Sequence, residues 1–265
     1  MQISPNTSKW YQNAWAALIF FTRLPFWRIY QPPRESYRAV VEFWPLAGWL
    51  TGGIMASVLY FGSMVVPYPM AVLCAIVARL FLTGALHEDG LADFFDGFGG
   101  GGHDRQRILA IMKDSHIGTY GVLSLIGYVA LLFISLYCVG DAAKAALLLL
   151  AADPFSKMLA GQIIQMMPYA RSEEEAKAKV VYRKVSVQAG ILLAVQGLAP
   201  AVIIFLLTDL GQLPHIELLV FMPCLVMYFL YRLIWHRLRG YTGDCCGALC
   251  LLVELAIYVG CLFQL

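Results

Sequence analysis

The sequence contains few charged residues, and this scarcity excludes most water-soluble folds. Only 14% of its 265 residues are Asp, Glu, Lys or Arg, whereas 60% are hydrophobic, and the mean hydropathy is +0.69. A soluble domain of this size could not cover so much apolar surface. Apolar runs of about 18 to 25 residues recur along the chain, and each can cross the roughly 30 Å hydrocarbon core of a bilayer. The composition therefore predicts an integral membrane protein.

The sequence also lacks a strong charge imbalance and paired cysteine motifs. A net charge of +2 is too small to indicate a nucleic-acid partner. Most of the seven cysteines lie inside apolar runs, where a reduced thiol behaves as a small hydrophobic side chain, so we expect no disulfides. The first residues are polar and show no cleavage site. The first spans are therefore expected to direct membrane insertion.

The apolar runs predict one all-α, polytopic membrane domain over residues 1–265 with about seven transmembrane helices. A short aromatic segment, 14–27, precedes them and is expected to lie along the membrane interface. Small residues inside the first span favour close helix packing, with small-xxx-small spacing at Gly48, Gly52 and Gly53. Prolines inside later spans are expected to kink a helix or open a cavity. The predicted spans are 43–66, 70–86, 120–139, 145–167, 187–208, 216–235 and 243–263.

Basic residues are concentrated on alternate connections between these spans. They precede the first span and follow the second, fourth and sixth, whereas the opposite connections, 67–69, 140–144 and 209–215, contain one basic residue, Lys144. Basic connections stay in the cytoplasm. We therefore expect a cytoplasmic N-terminus and a cytoplasmic acidic motif.

The acidic motif is the segment His87-Glu88-Asp89-Gly90-Leu91-Ala92-Asp93-Phe94-Phe95-Asp96-Gly97 at the end of the second predicted span. On a helix, Asp89, Asp93 and Asp96 stand at i, i+4 and i+7 and share one face. Such carboxylates repel each other unless a cation neutralises them, and their hard oxygens favour Mg²⁺. The spacing predicts a magnesium site, with glycines that leave room for a ligand and a flexible joint at 99–102.

Polar residues beyond this motif supply further candidates. Cations beside a metal site suit phosphate binding, although basic residues also mark the cytoplasmic side. A histidine near the motif could act as an acid or base near neutral pH. The candidates are His87, Arg105, Arg107, Lys113, Asp114, Ser115 and His116.

Three other features carry charge within or between spans. Asp153 and Lys157 stand one turn apart in an apolar run, either as a structural pair or as part of a site. Asp244 introduces the last span, and Glu254 lies deeper within it, which indicates a polar cavity. The segment 169–184 has mixed charge and is either a lid or headgroup-binding surface or a solvated linker.

With these motifs the chain resembles the adenosylcobinamide-GDP ribazoletransferase family, also called cobalamin 5′-phosphate synthase. The resemblance spans most of the chain, and its most specific block is His-x-Asp-Gly-Leu-Ala-Asp at residues 87–93. The other matching segments are Phe21-Thr22-Arg23-Leu24-Pro25, Trp44-Pro45-Leu46-Ala47-Gly48, Thr83-Gly84-Ala85-Leu86, Asp96-Gly97, Ile111-Met112-Lys113-Asp114-Ser115-His116-Ile117-Gly118, Thr242-Gly243-Asp244 and Gly247-Ala248.

The resemblance implies a Mg²⁺-dependent transferase of late cobalamin biosynthesis in the bacterial inner membrane. A ribose hydroxyl of α-ribazole, or of its 5′-phosphate, attacks the phosphate attached to adenosylcobinamide, and GMP leaves. The lipid bilayer and both substrates are the expected partners, and a homo-oligomer is compatible with the sequence. The implied metal ligands are Asp89, Asp93 and Asp96. The implied catalytic residues are His87, Asp89 and Asp114, and the implied substrate-binding residues are Arg105, Arg107, Lys113, Ser115, His116, Lys157 and Asp244.

Two other functions remain open from the residues. A CDP-alcohol phosphotransferase also places aspartates at helical spacing beside a membrane, but its motif has Ala-Arg after Asp-Gly, where this chain has Ala92-Asp93. A transporter would use intramembrane charges such as Asp153, Lys157 and Glu254 as a translocation path. The acidic motif argues against transport because it lies at the end of a span.

Overall fold

The computed structural model of the protein describes residues 8–172, 181–208 and 217–263. Within these ranges the structure is helical, which confirms the all-α prediction, and its β-type pairing is limited to an isolated bridge between Tyr169 and Tyr241. Two 3-10 helices, Phe26–Arg28 and Arg34–Phe43, precede the second α-helix. The α-helices are α1 (Trp10–Phe21), α2 (Trp44–Gly62), α3 (Tyr68–Thr83), α4 (Leu86–Gly100), α5 (Arg105–Lys113), α6 (Thr119–Val139), α7 (Ala142–Gly161), α8 (Ile163–Met166), α9 (Val187–Leu207), α10 (Leu218–Leu238) and α11 (Gly243–Leu262).

Six helical segments in the described ranges are long and apolar enough to cross a membrane, or seven if α3 and α4 together form one bent span. The predicted number of spans is therefore confirmed. Helix α1 has 12 residues, fewer than the roughly 20 that a crossing requires. Its failure to span agrees with the prediction for this segment.

The spans form an inner and an outer group. In the spans that contain α2, α7 and α11, 72%, 78% and 83% of the most apolar window is buried, whereas in α6, α9 and α10 the share is 22%. The exposed side chains of the outer helices are large and apolar, as at Leu123, Leu206 and Phe221. Apolar surface of this kind is stable against lipid. Helices α2, α7 and α11 therefore form the centre of the bundle.

Close packing of α2 on α7 depends on small residues. A Cβ atom at Gly48 would lie 2.9 Å from the Pro154 Cα atom, and one at Gly52 would lie 3.0 Å from the Leu149 carbonyl oxygen. These distances leave no room for a side chain. The small-xxx-small prediction is confirmed for Gly48 and Gly52, whereas Gly53 makes only ordinary contact with Leu150.

The acidic motif lies on α4, a helix separate from the second predicted span. The span, predicted to end at residue 86, ends at Thr83. Helix α4 leaves α3 at an angle of 89°. Gly84 and Ala85 produce the turn because both have left-handed backbone conformations, with φ of 63° and 56°. The Arg23 backbone N–H donates to the Leu82 carbonyl oxygen at 2.7 Å. The bend gives the acids a helix of their own, packed mainly against α11 and α6.

Candidate active site

The three aspartates of the acidic motif lie on one helix but in three environments. Asp89 is exposed, Asp93 is half-buried and Asp96 is buried. Helix α4 packs between α11 and α6, so that its two ends meet different neighbours. In the described part of the chain, no three His, Cys, Asp or Glu side chains are grouped as they would be around a metal ion.

The Asp96 side chain caps the N-terminus of α6. Its two carboxylate oxygens accept hydrogen bonds from the backbone N–H groups of Gly118 at 2.7 Å and Gly121 at 2.8 Å. The first N–H groups of a helix have no partner within the helix, and an anion at this end is favoured by the helix dipole. Both oxygens of the predicted metal ligand Asp96 therefore hold the first turn of α6.

The glycines of the motif also have a packing role. Gly97 faces the side chain of Met112 on α5, and Gly99 faces the ring of Tyr120. Helix α4 continues through Gly100, within the predicted flexible joint, and Gly101 contacts Ile108. The expectation that Gly97 leaves room for a ligand is wrong, because the room is taken by a neighbouring helix.

A cavity of about 120 Å³ lies where the first turns of α4 and α11 meet the aromatic end of α1 and α2. Helices α4 and α11 approach closely because Gly90 packs on the backbone of Asp244, and Gly247 packs on the backbone of His87. This contact places Asp89 and Asp244 in one cavity. Its lining is Phe20, Phe21, Val41, Trp44, Leu86, His87, Asp89, Gly90, Tyr169, Arg171, Tyr182, Gly243, Asp244, Cys246 and Gly247.

His87 lines this cavity but has one ring nitrogen engaged. The Trp44 indole Nε1–H donates to His87 Nε2 at 3.3 Å. An accepting Nε2 carries no proton, so the neutral ring has its proton on Nδ1. The predicted role of His87 as a proton acceptor is therefore not available at Nε2, and the ring offers the cavity a hydrogen-bond donor instead.

Of the predicted basic residues, Arg105 links structural elements, whereas Arg107 and Lys113 lie on the surface. Arg105 donates from Nε to the Leu238 carbonyl oxygen and from a guanidinium NH2 to the Ala170 carbonyl oxygen, both at 2.7 Å. It thereby joins α5 to α10 and to the segment that lines the cavity. Arg107 and Lys113 are exposed and do not line the cavity. The structure therefore does not place these three residues as direct substrate contacts there.

The cation at the cavity is Arg171, which the sequence analysis did not select. Its guanidinium donates to the Leu109 carbonyl oxygen at 2.8 Å, so that α5 also orients this residue. Tyr169 lies beside it, and burial raises the pKa of Tyr169 to about 12. Its phenol thus stays protonated and can donate a hydrogen bond. The rest of the predicted lid segment falls partly at 173–180, outside the described residues.

The loop between α5 and α6 is exposed. Asp114 accepts a hydrogen bond from the His116 backbone N–H at 3.0 Å and contacts His116 Nδ1 at 2.7 Å. The hydrogen bond from the His116 side chain lowers the pKa of Asp114. Asp114, Ser115 and His116 do not line the cavity, so the structure does not bring these predicted residues to it.

Charged residues inside the bundle are paired with each other. Lys157 forms an ion pair with Asp153, and both side chains are almost fully buried. The Thr51 hydroxyl donates to Asp153 at 2.7 Å. Lys157 does not line the cavity, so the structure does not bring this predicted substrate-binding residue to it.

A second buried network was missed by the sequence analysis. Arg79 of α3 donates to both carboxylate oxygens of Glu254 at 2.9 Å, and its guanidinium lies 3.8 Å from a Glu88 carboxylate oxygen. The Tyr258 hydroxyl donates to Glu254 at 2.5 Å. Glu254 therefore holds α3 next to the bend instead of lining a polar cavity.

Comparison with known proteins identifies the family. The family model described as cobalamin-5-phosphate synthase matches residues 13–262. A relative from Leptothrix cholodnii is 39% identical over 92% of both chains, one from Shewanella amazonensis is 36% identical over 92% of both, and one from Leptospira interrogans is 30% identical over 92% of both. All three are named adenosylcobinamide-GDP ribazoletransferase. No solved structure matches the chain. The chain belongs to the cobalamin-5-phosphate synthase family.

Proposed function

We propose that the protein carries out the reaction for which its relatives are named, in the last stage of cobalamin synthesis. It would transfer the adenosylcobinamide-phosphate group of adenosylcobinamide-GDP to a ribose hydroxyl of α-ribazole or its 5′-phosphate. The family match favours this function over a CDP-alcohol phosphotransferase or a transporter. The structural observation that carries the proposal is the cavity that places Asp89, Asp244 and Arg171 together.

In the reaction one bond to phosphorus forms, another breaks, and one proton is transferred. The ribose hydroxyl oxygen bonds to the phosphorus attached to adenosylcobinamide, the bond from this phosphorus to the GMP phosphate breaks, and the hydroxyl proton goes to a base. Asp89 is the proposed proton acceptor because it is exposed, whereas Asp244 is buried in the first turn of α11, where the helix dipole stabilises its anion. Arg171 would bind the negatively charged phosphates.

The donor chemistry of the cavity fits Mg²⁺. This ion commonly uses one or two protein carboxylates and takes its remaining ligands from water and substrate phosphates. Asp89 and Asp244 would supply these carboxylates, with Asp93 one turn along α4 from Asp89. When bound, Mg²⁺ neutralises the charge of the diphosphate and of the leaving phosphate.

Substitution of Asp89 by Asn tests the assignment. We expect Asp89→Asn to lower kcat by at least about 100-fold, since general-base catalysis contributes about 10² to 10⁴. Asp141→Asn is the matched control, because Asp141 caps α7 with its side chain and Asn caps equally well. Equal loss in both variants, or full activity of Asp89→Asn, would remove Asp89 from the mechanism.

The positive-inside rule supports a cytoplasmic site. The cavity is lined by residues next to or within basic connections, including Tyr169, Arg171 and Tyr182. Connections of this kind are retained in the cytoplasm. We therefore propose a multi-pass protein of the bacterial inner membrane whose N-terminus and cavity face the cytoplasm, where GMP is released.

A further inference from the structure

The connection between α8 and α9 reaches the cavity at a second place, through a residue that the proposed chemistry does not use. The first part of the connection supplies Tyr169 and Arg171, and its last part supplies Tyr182. The ring of Tyr182 packs edge-on against Phe20 of α1, with centroids 6.2 Å apart and an interplanar angle of 90°. Both ends of one connection therefore line the cavity.

The Tyr182 hydroxyl lies near the first turn of α11. The groups that act on it electrostatically are Cys246, Tyr169, Tyr241 and Asp244, and all of these except Tyr241 line the cavity. Burial raises the pKa of Tyr182 well above its usual value, so the phenol stays protonated. The hydroxyl makes no hydrogen bond to another described residue. It is therefore a donor that a ligand beside Asp244 can use.

Arg183 fixes the position of this part of the connection. Its guanidinium donates from Nε and Nη2 to the two carboxylate oxygens of Glu42, at 2.7 and 2.9 Å. Glu42 is buried and belongs to the 3-10 helix Arg34–Phe43. The Arg183 backbone N–H donates to the Arg38 carbonyl oxygen of the same helix at 2.8 Å. A two-bond fork of this kind fixes orientation as well as distance, and it does so at the residue next to Tyr182.

We propose that Tyr182 donates a hydrogen bond to a phosphate oxygen of adenosylcobinamide-GDP, and that the ion pair of Glu42 and Arg183 positions it. This inference rests on the proposed function, in which the diphosphate is bound at Asp89 and Asp244. A phosphate held at Asp244 lies beside the Tyr182 hydroxyl. Arg183 is a positioning residue in this account, because its guanidinium is used by Glu42 and acts on the substrate only through its neighbour.

Equilibrium binding tests the Tyr182 contact without turnover. Tyr182→Phe keeps the ring and removes only the hydroxyl. In full-length protein in nanodiscs with Mg²⁺ and no α-ribazole, we expect it to raise the dissociation constant of adenosylcobinamide-GDP at least about tenfold, as for a lost hydrogen bond to a charged group. Binding of α-ribazole 5′-phosphate should change less than twofold. Tyr241→Phe is the matched control, because Tyr241 is buried nearby but lies outside the cavity lining, and it should change neither constant.

A double-mutant cycle tests the role of Arg183. Arg183→Gln breaks the fork and should weaken binding of adenosylcobinamide-GDP by up to about tenfold, no more than the loss of the hydroxyl itself. Arg183→Lys, which keeps a cation beside Glu42, should restore part of the affinity. In the Tyr182→Phe background, Arg183→Gln should cause no further loss, because no hydroxyl remains to be positioned. An ion pair with a purely structural role would instead weaken binding equally in both backgrounds.

The Tyr182 contact is overturned if Tyr182→Phe binds adenosylcobinamide-GDP like wild type, if α-ribazole 5′-phosphate is affected more, or if Tyr241→Phe has the same effect. It is also overturned if excess Mg²⁺ restores the affinity, since Tyr182 would then support Asp244 and not the phosphate. Turnover by the wild-type protein separates this inference from the proposed function. Weaker binding by Tyr182→Phe with no wild-type turnover would leave the contact standing and the reaction refuted. Normal wild-type turnover with unchanged binding would leave the reaction standing and the contact refuted.

Discussion

Asp89 and Asp96 lie on one helix face but have unrelated surroundings. Asp89 opens into the cavity, whereas Asp96 accepts two backbone N–H groups at the start of α6. Helical spacing places carboxylates on one face but does not show what each one meets.

Asp96→Asn is expected to destabilise the protein by about 1–3 kcal/mol, because a buried N–H group loses its charged acceptor. Asp89→Asn should leave the melting temperature unchanged. Thermal unfolding of both variants in detergent measures this difference. An Asp96→Asn protein that melts like wild type yet has lost its response to Mg²⁺ would instead establish Asp96 as a metal ligand.

The buried pair of Arg79 and Glu254 is expected to stabilise the fold only while both partners are present. Arg79→Met leaves Glu254 buried without its cation, at a cost of about 3–5 kcal/mol. Adding Glu254→Leu should recover part of this loss, because it removes one of the two buried carboxylates, Glu254 and Glu88, that face Arg79. Unfolding of the single and double variants by denaturant tests the coupling, and additive losses would contradict it.

At the level of elements, the bend between α3 and α4 decides where the acids lie. Gly84 has a left-handed conformation, and a Cβ atom there would overlap the Arg23 side chain. We expect Gly84→Ala to destabilise the protein by at least about 1–2 kcal/mol, the usual cost of this conformation for an L-residue. Ala85→Gly should be neutral or stabilising, since Ala85 already has a positive φ. The account of the bend would be wrong if the two substitutions ranked in the opposite order in unfolding measurements.

The sequence predicted the elements better than their contacts. Apolar length predicted the spans, and glycine spacing predicted that α2 packs closely on a neighbour, because both are local patterns. The bend required two adjacent left-handed residues, one of which is Ala85, and alanine gives no local signal for it. The pairing of Arg79 with Glu254 and the position of Arg171 depend on distant segments, so periodicity could not reveal them.

On the scale of the whole molecule, the connections divide into a basic side that carries the cavity and an opposite side. Cysteines introduced at exposed positions on the two sides test this orientation. In intact cells, a membrane-impermeant maleimide should label Ala143→Cys, whereas Ser115→Cys should react only after lysis. The two residues are both exposed, so access is set by the membrane. The reverse pattern would place the cavity outside the cytoplasm.

The central claim is that the cavity between α4 and α11 supports Mg²⁺-dependent transfer without any other protein. Its most direct test is to incubate the purified wild-type protein, in nanodiscs, with adenosylcobinamide-GDP, α-ribazole 5′-phosphate and Mg²⁺. Chromatography and mass measurement of the corrinoids follow the product. We predict formation of adenosylcobalamin 5′-phosphate together with GMP, and its loss when EDTA is added. Folded protein that forms no product, or forms it equally well in EDTA, would contradict the account.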